Sequence, residues 1–128
     1  MLARLAPFFS LIHRPATRSN GANVVDANGV KVAAVGHVDP SGGGARNAFG
    51  NQFWAEWVNK FGWNHTFCCM DADKDGQTNG LELGDPCCVW SVNATPAYAT
   101  DISHPGDAAS MTKRAAPACA ATACPAAQ

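Results

Sequence analysis

Residues 71–82 read Asp-Ala-Asp-Lys-Asp-Gly-Gln-Thr-Asn-Gly-Leu-Glu, with a Cys-Cys doublet close on either side, Cys68-Cys69 before and Cys87-Cys88 after. Counted from Asp71, the loop has Asp71 at position 1, Asp73 at 3, Asp75 at 5, Gly76 at 6, Gln77 at 7, Asn79 at 9 and Glu82 at 12. Every constrained position of the calcium pattern D-x-D-x-[DN]-G-x5-E is met. The pattern follows from the ion. Calcium is a hard cation that takes about six to eight oxygen ligands at roughly 2.3–2.6 Å. Alternate aspartates on a curling backbone converge, Gly76 permits the turn, Gln77 offers its backbone carbonyl, Asn79 reaches inward and Glu82 closes the sphere. Four carboxylates in so short a loop repel one another unless a cation lies between them. The expected cofactor is therefore Ca2+.

The flanks do not fit a complete helix-loop-helix hand. The apolar helical pattern ahead of the loop ends near Phe61, so the first doublet falls between helix and loop. Gly84 and Pro86 follow Glu82 within one turn and block an exiting helix. Thr78 stands at position 8, where paired sensor loops carry an apolar residue, and no second loop of this kind occurs. The expectation is a lone structural site with a dissociation constant of ~10⁻⁴–10⁻³ M.

Six cysteines in 128 residues point to an oxidising compartment, in which small domains supplement a modest core with disulfides. A zinc site is the competing reading, but Cys-X2-Cys spacing is absent. A bond between adjacent cysteines is strained, so pairing between doublets, across the loop, fits better. Closing a loop of about 20 residues contributes roughly 3 kcal/mol in the chain-entropy account. Cys119 and Cys124 pair with each other or with the remaining doublet members.

The rest of the chain predicts a small α+β domain. Phe53, Trp54, Trp57, Val58 and Phe61 recur at helical spacing, with Asn47 or Asn51 as cap and Gly62 as stop. Ala27-Asn28-Gly29 separates two β-branched stretches, Val24-Val25 and Val30 to Val35, and predicts a hairpin. Pro40 and Gly42-Gly43-Gly44 require a loop. Residues 1–23, with Arg4 and a short apolar run broken by Pro7, read as a leader or a poorly ordered segment. Residues 108–128, rich in Ala and Pro, read as a flexible C-terminal tail. Lys and Arg total nine against ten acidic residues, so there is no basic stripe and nucleic acid is not an expected partner. No apolar run approaches the roughly 20 residues needed to span a bilayer.

Three segments in order, "GHVDPSGGGARNAFGNQF", "DADKDGQTNGLELGDPCCVW" and "ISHPGD", resemble the temptin-like disulfide domain family over roughly residues 24–107. The resemblance implies a secreted module with an epidermal-growth-factor-like character and a pheromone-like signalling or matrix role in protein association. It also selects one bridge, Cys68–Cys88, from the possible pairings. The family's N-terminal cysteine is missing here, so its second bridge cannot form in the same way. Pheromone activity itself does not transfer with a fold.

Three functional classes remain, the third being an intracellular calcium sensor, for which six free thiols in the native protein would be the sign. The first is a secreted calcium-stabilised binding module, not an enzyme, whose partner is an extracellular protein or receptor. The second is a small metalloenzyme or redox domain using His37 and His104 as a second metal site. Against it, two imidazoles in glycine-rich loops without a third ligand read as hydrogen-bonding groups that order those loops. No nucleophile–base–orienter constellation is visible. Asn64-His65-Thr66 and Asn93-Ala94-Thr95 are glycosylation acceptors in a secreted chain, and Lys113-Arg114 is either a processing site or an exposed charge pair.

Overall fold

Phe67 is fully buried, and its ring meets Phe49 at 5.0 Å, Phe53 at 5.7 Å and Trp63 at 5.2 Å between centroids. Val24, Val32, Val35, Ala72 and Ile102 close the core around these rings, with Met70 and Leu83 at its edge. The structure, a computed structural model, describes residues 23–60, 63–91, 94–119 and 124, with the side chains of 57–60 excepted. The expected leader, the helix stop at Gly62 and the acceptor Asn93 lie outside the described residues, except that the leader's last residue, Asn23, is described.

Helix α1 spans Ala48–Lys60. Asn47 caps it by accepting from Gly50 N at 2.9 Å, while its own amide donates to the carbonyls of Val35 and His37. One side chain thereby starts the helix and anchors the preceding loop. Gly50 lies against the backbone of Gly36, where a Cβ would collide with a carbonyl that cannot swing away. The inward stripe is Phe49 and Phe53, one turn apart. This corrects the expected face at Trp54, which is 41 % exposed and lies beneath the Arg46 guanidinium at 5.0 Å. A residue one step past Phe53 is rotated about 100° around the helix. Trp57 and Val58 have no described side chains, and Phe61 lies outside the described residues.

Among the described residues two further helices correct the expectation of one. Helix α2, His65–Cys69, is capped by Asn64, whose Oδ1 accepts from Phe67 N at 2.9 Å. Helix α3, Asn79–Glu82, is capped by Thr78, whose Oγ1 accepts from Leu81 N at 3.0 Å. The loop is thus entered from α2, not from α1, and its last four residues form a single helical turn.

The β component shrinks to two isolated antiparallel bridges among the described residues, Val25 with Lys31 and His37 with Arg46. The turn at Ala27–Gly29 does form: Asp26 Oδ1 accepts from Asn28 N and Val30 N, and Gly29 takes φ +79°. The arms do not extend, because Val32 and Val35 both enter the core. Residues three apart share a face only if the backbone bends, as a strand alternates sides. His37 N accordingly donates back to Ala34 O.

Part of the segment expected as a flexible tail is tied to the domain, while Ala115, Ala116 and Ala118 are exposed. Ser110 and Thr112 are buried, and Ser110 Oγ donates to Val25 O at 2.8 Å. Arg114 lies 3.7 Å above the Tyr98 ring and donates to Thr100 O, while Lys113 beside it is exposed. Three disulfides staple the chain: Cys68–Cys88, Cys69–Cys124 and Cys87–Cys119. All six thiols are bonded, which removes the thiol-ligated zinc reading. No helix among the described residues is long and apolar enough to cross a membrane.

Candidate metal centre

The acidic loop begins where α2 stops. Asn79 draws its two ends together: its backbone N donates to Met70 O at 2.7 Å, its Oδ1 accepts from Ala72 N, and its Nδ2 donates to Phe67 O. Between these points the backbone curls through left-handed conformations at Lys74, φ +60°, and Gly76, φ +93°. The curl turns amides toward carboxylates. Asp71 accepts from Asp75 N and Gly76 N, Asp73 from Asp75 N, and Asp75 from Gln77 N. Carboxylate oxygens of Asp71, Asp73 and Asp75 lie within 4.8 Å of one another.

Glu82 reaches this cluster from α3. It is fully buried, its Oε1 accepts from Ser103 Oγ at 2.9 Å, and its carbonyl accepts from Ser103 N. One oxygen on each of Asp73, Asp75 and Glu82 is buried without a hydrogen-bond donor. Burial, reinforced by the charge of Asp73, pushes the Glu82 pKa up to about 10. Burial and the neighbouring Asp75 raise that of Asp73 to about 7. Buried carboxyl oxygens without donors, on neighbouring groups that resist ionising together, match what a hard divalent cation would satisfy. Asp71, Asp73 and Asp75 form the group close enough to share an ion, and Glu82 interacts with that group through its charge coupling to Asp73.

The other expected ligands divide. Asn79 has its amide engaged by α2 and the loop backbone. Gln77 turns its side chain to Thr112, donating from Nε2 to Thr112 O at 2.9 Å and accepting from Thr112 N at 3.0 Å. A ligand role for Gln77 through its backbone carbonyl does not compete with that clasp. His37 and His104 are both buried. His104 Nδ1 accepts from Gly106 N at 3.0 Å, so this imidazole orders the His104–Asp107 turn, and burial lowers its pKa. Among the described residues, neither histidine belongs to a group of three or more ligands close enough to share an ion.

Three contributors escaped the sequence reading. Ser103 sits in the "ISHPGD" segment, but nothing local ties it to Glu82. Gly80 lies against Cys68 Sγ and the Asp85 carbonyl, leaving no room for a Cβ. Asp85 is buried and accepts from Val89 N, Trp90 N and Trp63 Nε1, folding the turn that presents Cys87 and Cys88. An Asp followed by Pro is a turn signal and was the available clue.

Residues 15–107 match the family described as Temptin C-terminal. Temptin of Aplysia californica is 47% identical over 89 residues, spanning 68% of this chain and 69% of that protein. No solved structure matches. The match contains the acidic loop, both cysteine doublets and the Ser103 segment, and with most of its length covered the chain belongs to the temptin family.

Proposed function

We propose that the protein is a secreted, temptin-like signalling or matrix module that binds Ca2+ in the 71–82 loop and acts by binding an extracellular protein or receptor, without turnover of its own. The observation that carries the calcium part is the set of buried, undonated oxygens on Asp73, Asp75 and Glu82 beside Asp71. Such oxygens are costly unless a proton or a cation satisfies them. Secretion is supported by the three disulfides and by the relative named temptin. The binding role is supported by a rigid cross-linked surface, which presents contacts at low entropic cost.

Calcium binding only the folded state raises its stability, by about 2.7 kcal/mol at a hundredfold excess over the dissociation constant. The melting temperature is therefore expected to rise with millimolar calcium, and Asp71→Ala or Glu82→Ala to remove most of the rise. A melting temperature that ignores calcium in the parent protein would sink the site. The partner is sought separately, by affinity capture from extracellular medium with and without chelator; capture indifferent to chelator would refute a calcium-dependent contact.

A further inference from the structure

Two of the three bridges touch. Cys88 Sγ lies 3.4 Å from Cys124 Sγ and 3.7 Å from Cys69 Sγ, although Cys88 is bonded to Cys68 and Cys69 to Cys124. These distances are van der Waals contact between sulfurs of separate disulfides. Exchange requires a thiolate to reach a disulfide sulfur, and here the Cys124 and Cys88 sulfurs are already within contact distance.

We propose that the bridges Cys68–Cys88 and Cys69–Cys124 form a thiol–disulfide exchange site, at which an external thiol opens Cys69–Cys124 and Cys88 then changes partner from Cys68 to Cys124. The bonds balance as follows. The thiolate of the external thiol attacks Cys69 Sγ, the Cys69–Cys124 bond breaks, and Cys124 leaves as a thiolate. Cys124 Sγ attacks Cys88 Sγ, the Cys68–Cys88 bond breaks, and Cys68 takes up a proton. A second external thiol attacks the mixed disulfide, releasing Cys69 as a thiol and the reagent as its own disulfide. Two electrons enter the protein; the products are a Cys88–Cys124 bridge and thiols at Cys68 and Cys69.

Three features favour this course. Cys68 is fully buried while Cys69 and Cys124 are part-exposed, so the entering thiol meets the outer bridge first. Both ring nitrogens of His65 lie 3.9 Å from Cys69 Sγ, so the entry sulfur has an imidazole beside it. The third bridge, Cys87–Cys119, contributes no sulfur to the group of Cys69, Cys88 and Cys124, whose Sγ atoms lie within 4.8 Å of one another. Cys68 Sγ lies 3.4 Å from Asp85 O and 3.7 Å from Asp85 Oδ2, so it takes up its proton as it is displaced and the resulting thiol has acceptors in place. The consequence is local: Cys68 loses the cross-link that joins the entrance of the acidic loop to the turn beyond it.

The test uses the intact native protein and a sub-stoichiometric dithiol, with trapping by an alkylating agent. Molecules carrying two alkyl groups are isolated and digested with trypsin without further reduction. Cleavage after Lys60 and Lys74 isolates the segment containing Cys68 and Cys69. The expected result is that segment released free with both labels, and the Cys87–Cys88 segment still bonded to the C-terminal peptide. Labels on Cys69 and Cys124, with Cys68 still bonded to Cys88, would overturn the exchange. Labels on Cys87 and Cys119 would overturn the assignment of the outer bridge as the entry point.

Discussion

Glu82 is a carboxylate at zero exposure facing three aspartates, with one hydroxyl for company. Buried carboxylates of this kind either hold a proton or meet a cation. The sign of the pH dependence follows. In the native metal-free state Glu82 keeps its proton up to about pH 10 and Asp73 up to about pH 7, against ordinary values of 4.5 and 3.8. The native state thus binds more protons than the unfolded state above the ordinary values. Stability is greatest below them and falls as pH rises toward the folded values. In the proposed calcium site, the ion would displace the same protons, so its stabilising effect is expected to grow over the same interval. Melting curves in chelator and in calcium at mildly acidic, neutral and mildly alkaline pH are expected to diverge as pH rises. Glu82→Gln keeps an acceptor for Ser103 and removes the charge, so it is expected to flatten both trends.

At the scale of elements, the acidic loop is tied to the C-terminal segment through side chains that need not face the ion. Gln77 clasps both backbone groups of Thr112, whose hydroxyl donates to Asp101 Oδ2 at 2.7 Å. Ser103, two residues beyond Asp101, holds Glu82. Gln77→Ala removes two hydrogen bonds, each with a net value of about 0.5–1.5 kcal/mol. The expected result is faster amide exchange at Thr112 and Lys113 and quicker tryptic cleavage after Arg114, with calcium affinity little changed because the loop backbone is intact. Unaltered exchange at Thr112 would show that the Arg114–Tyr98 stack and Ser110 hold the segment without Gln77.

At the scale of the molecule, the described residues share a core cluster centred on Phe67, with no extended ladder among them to support it. Small domains of this kind depend on cross-links. All three bridges begin at the two doublets, so the end of α2, the Asp85–Trp90 turn and the C-terminal segment are joined at one place. Cys87–Cys119 closes a span of 32 residues. The Cys87→Ala, Cys119→Ala double variant is expected to lose about 2–4 kcal/mol in urea unfolding. A loss within about 0.5 kcal/mol, the scatter of ordinary surface substitutions, would mean that packing alone fixes this segment.

Local chemistry was legible in the sequence, and long-range choice was not. Asp71, Asp73 and Asp75 lie within five residues, so the curl that gathers them is encoded by Gly76 and by Asx side chains bonding nearby amides. The turn at Ala27–Gly29 and the Asn47 cap are equally short-range. Helices α2 and α3, at five and four residues, are too short to show a period and exist because Asn64 and Thr78 cap them against a finished core. Trp54 looked like core because helical spacing alone does not say which stripe faces inward; the packing of Phe49 and Phe53 on Phe67 decides that. Ser103 reaches Glu82 across 21 residues, and Thr112 reaches Gln77 across 35. Leaving Cys68–Cys88 aside, four cysteines allow three connectivities. Only the fold selects one, because the sulfurs that bond are those the tertiary structure brings into reach.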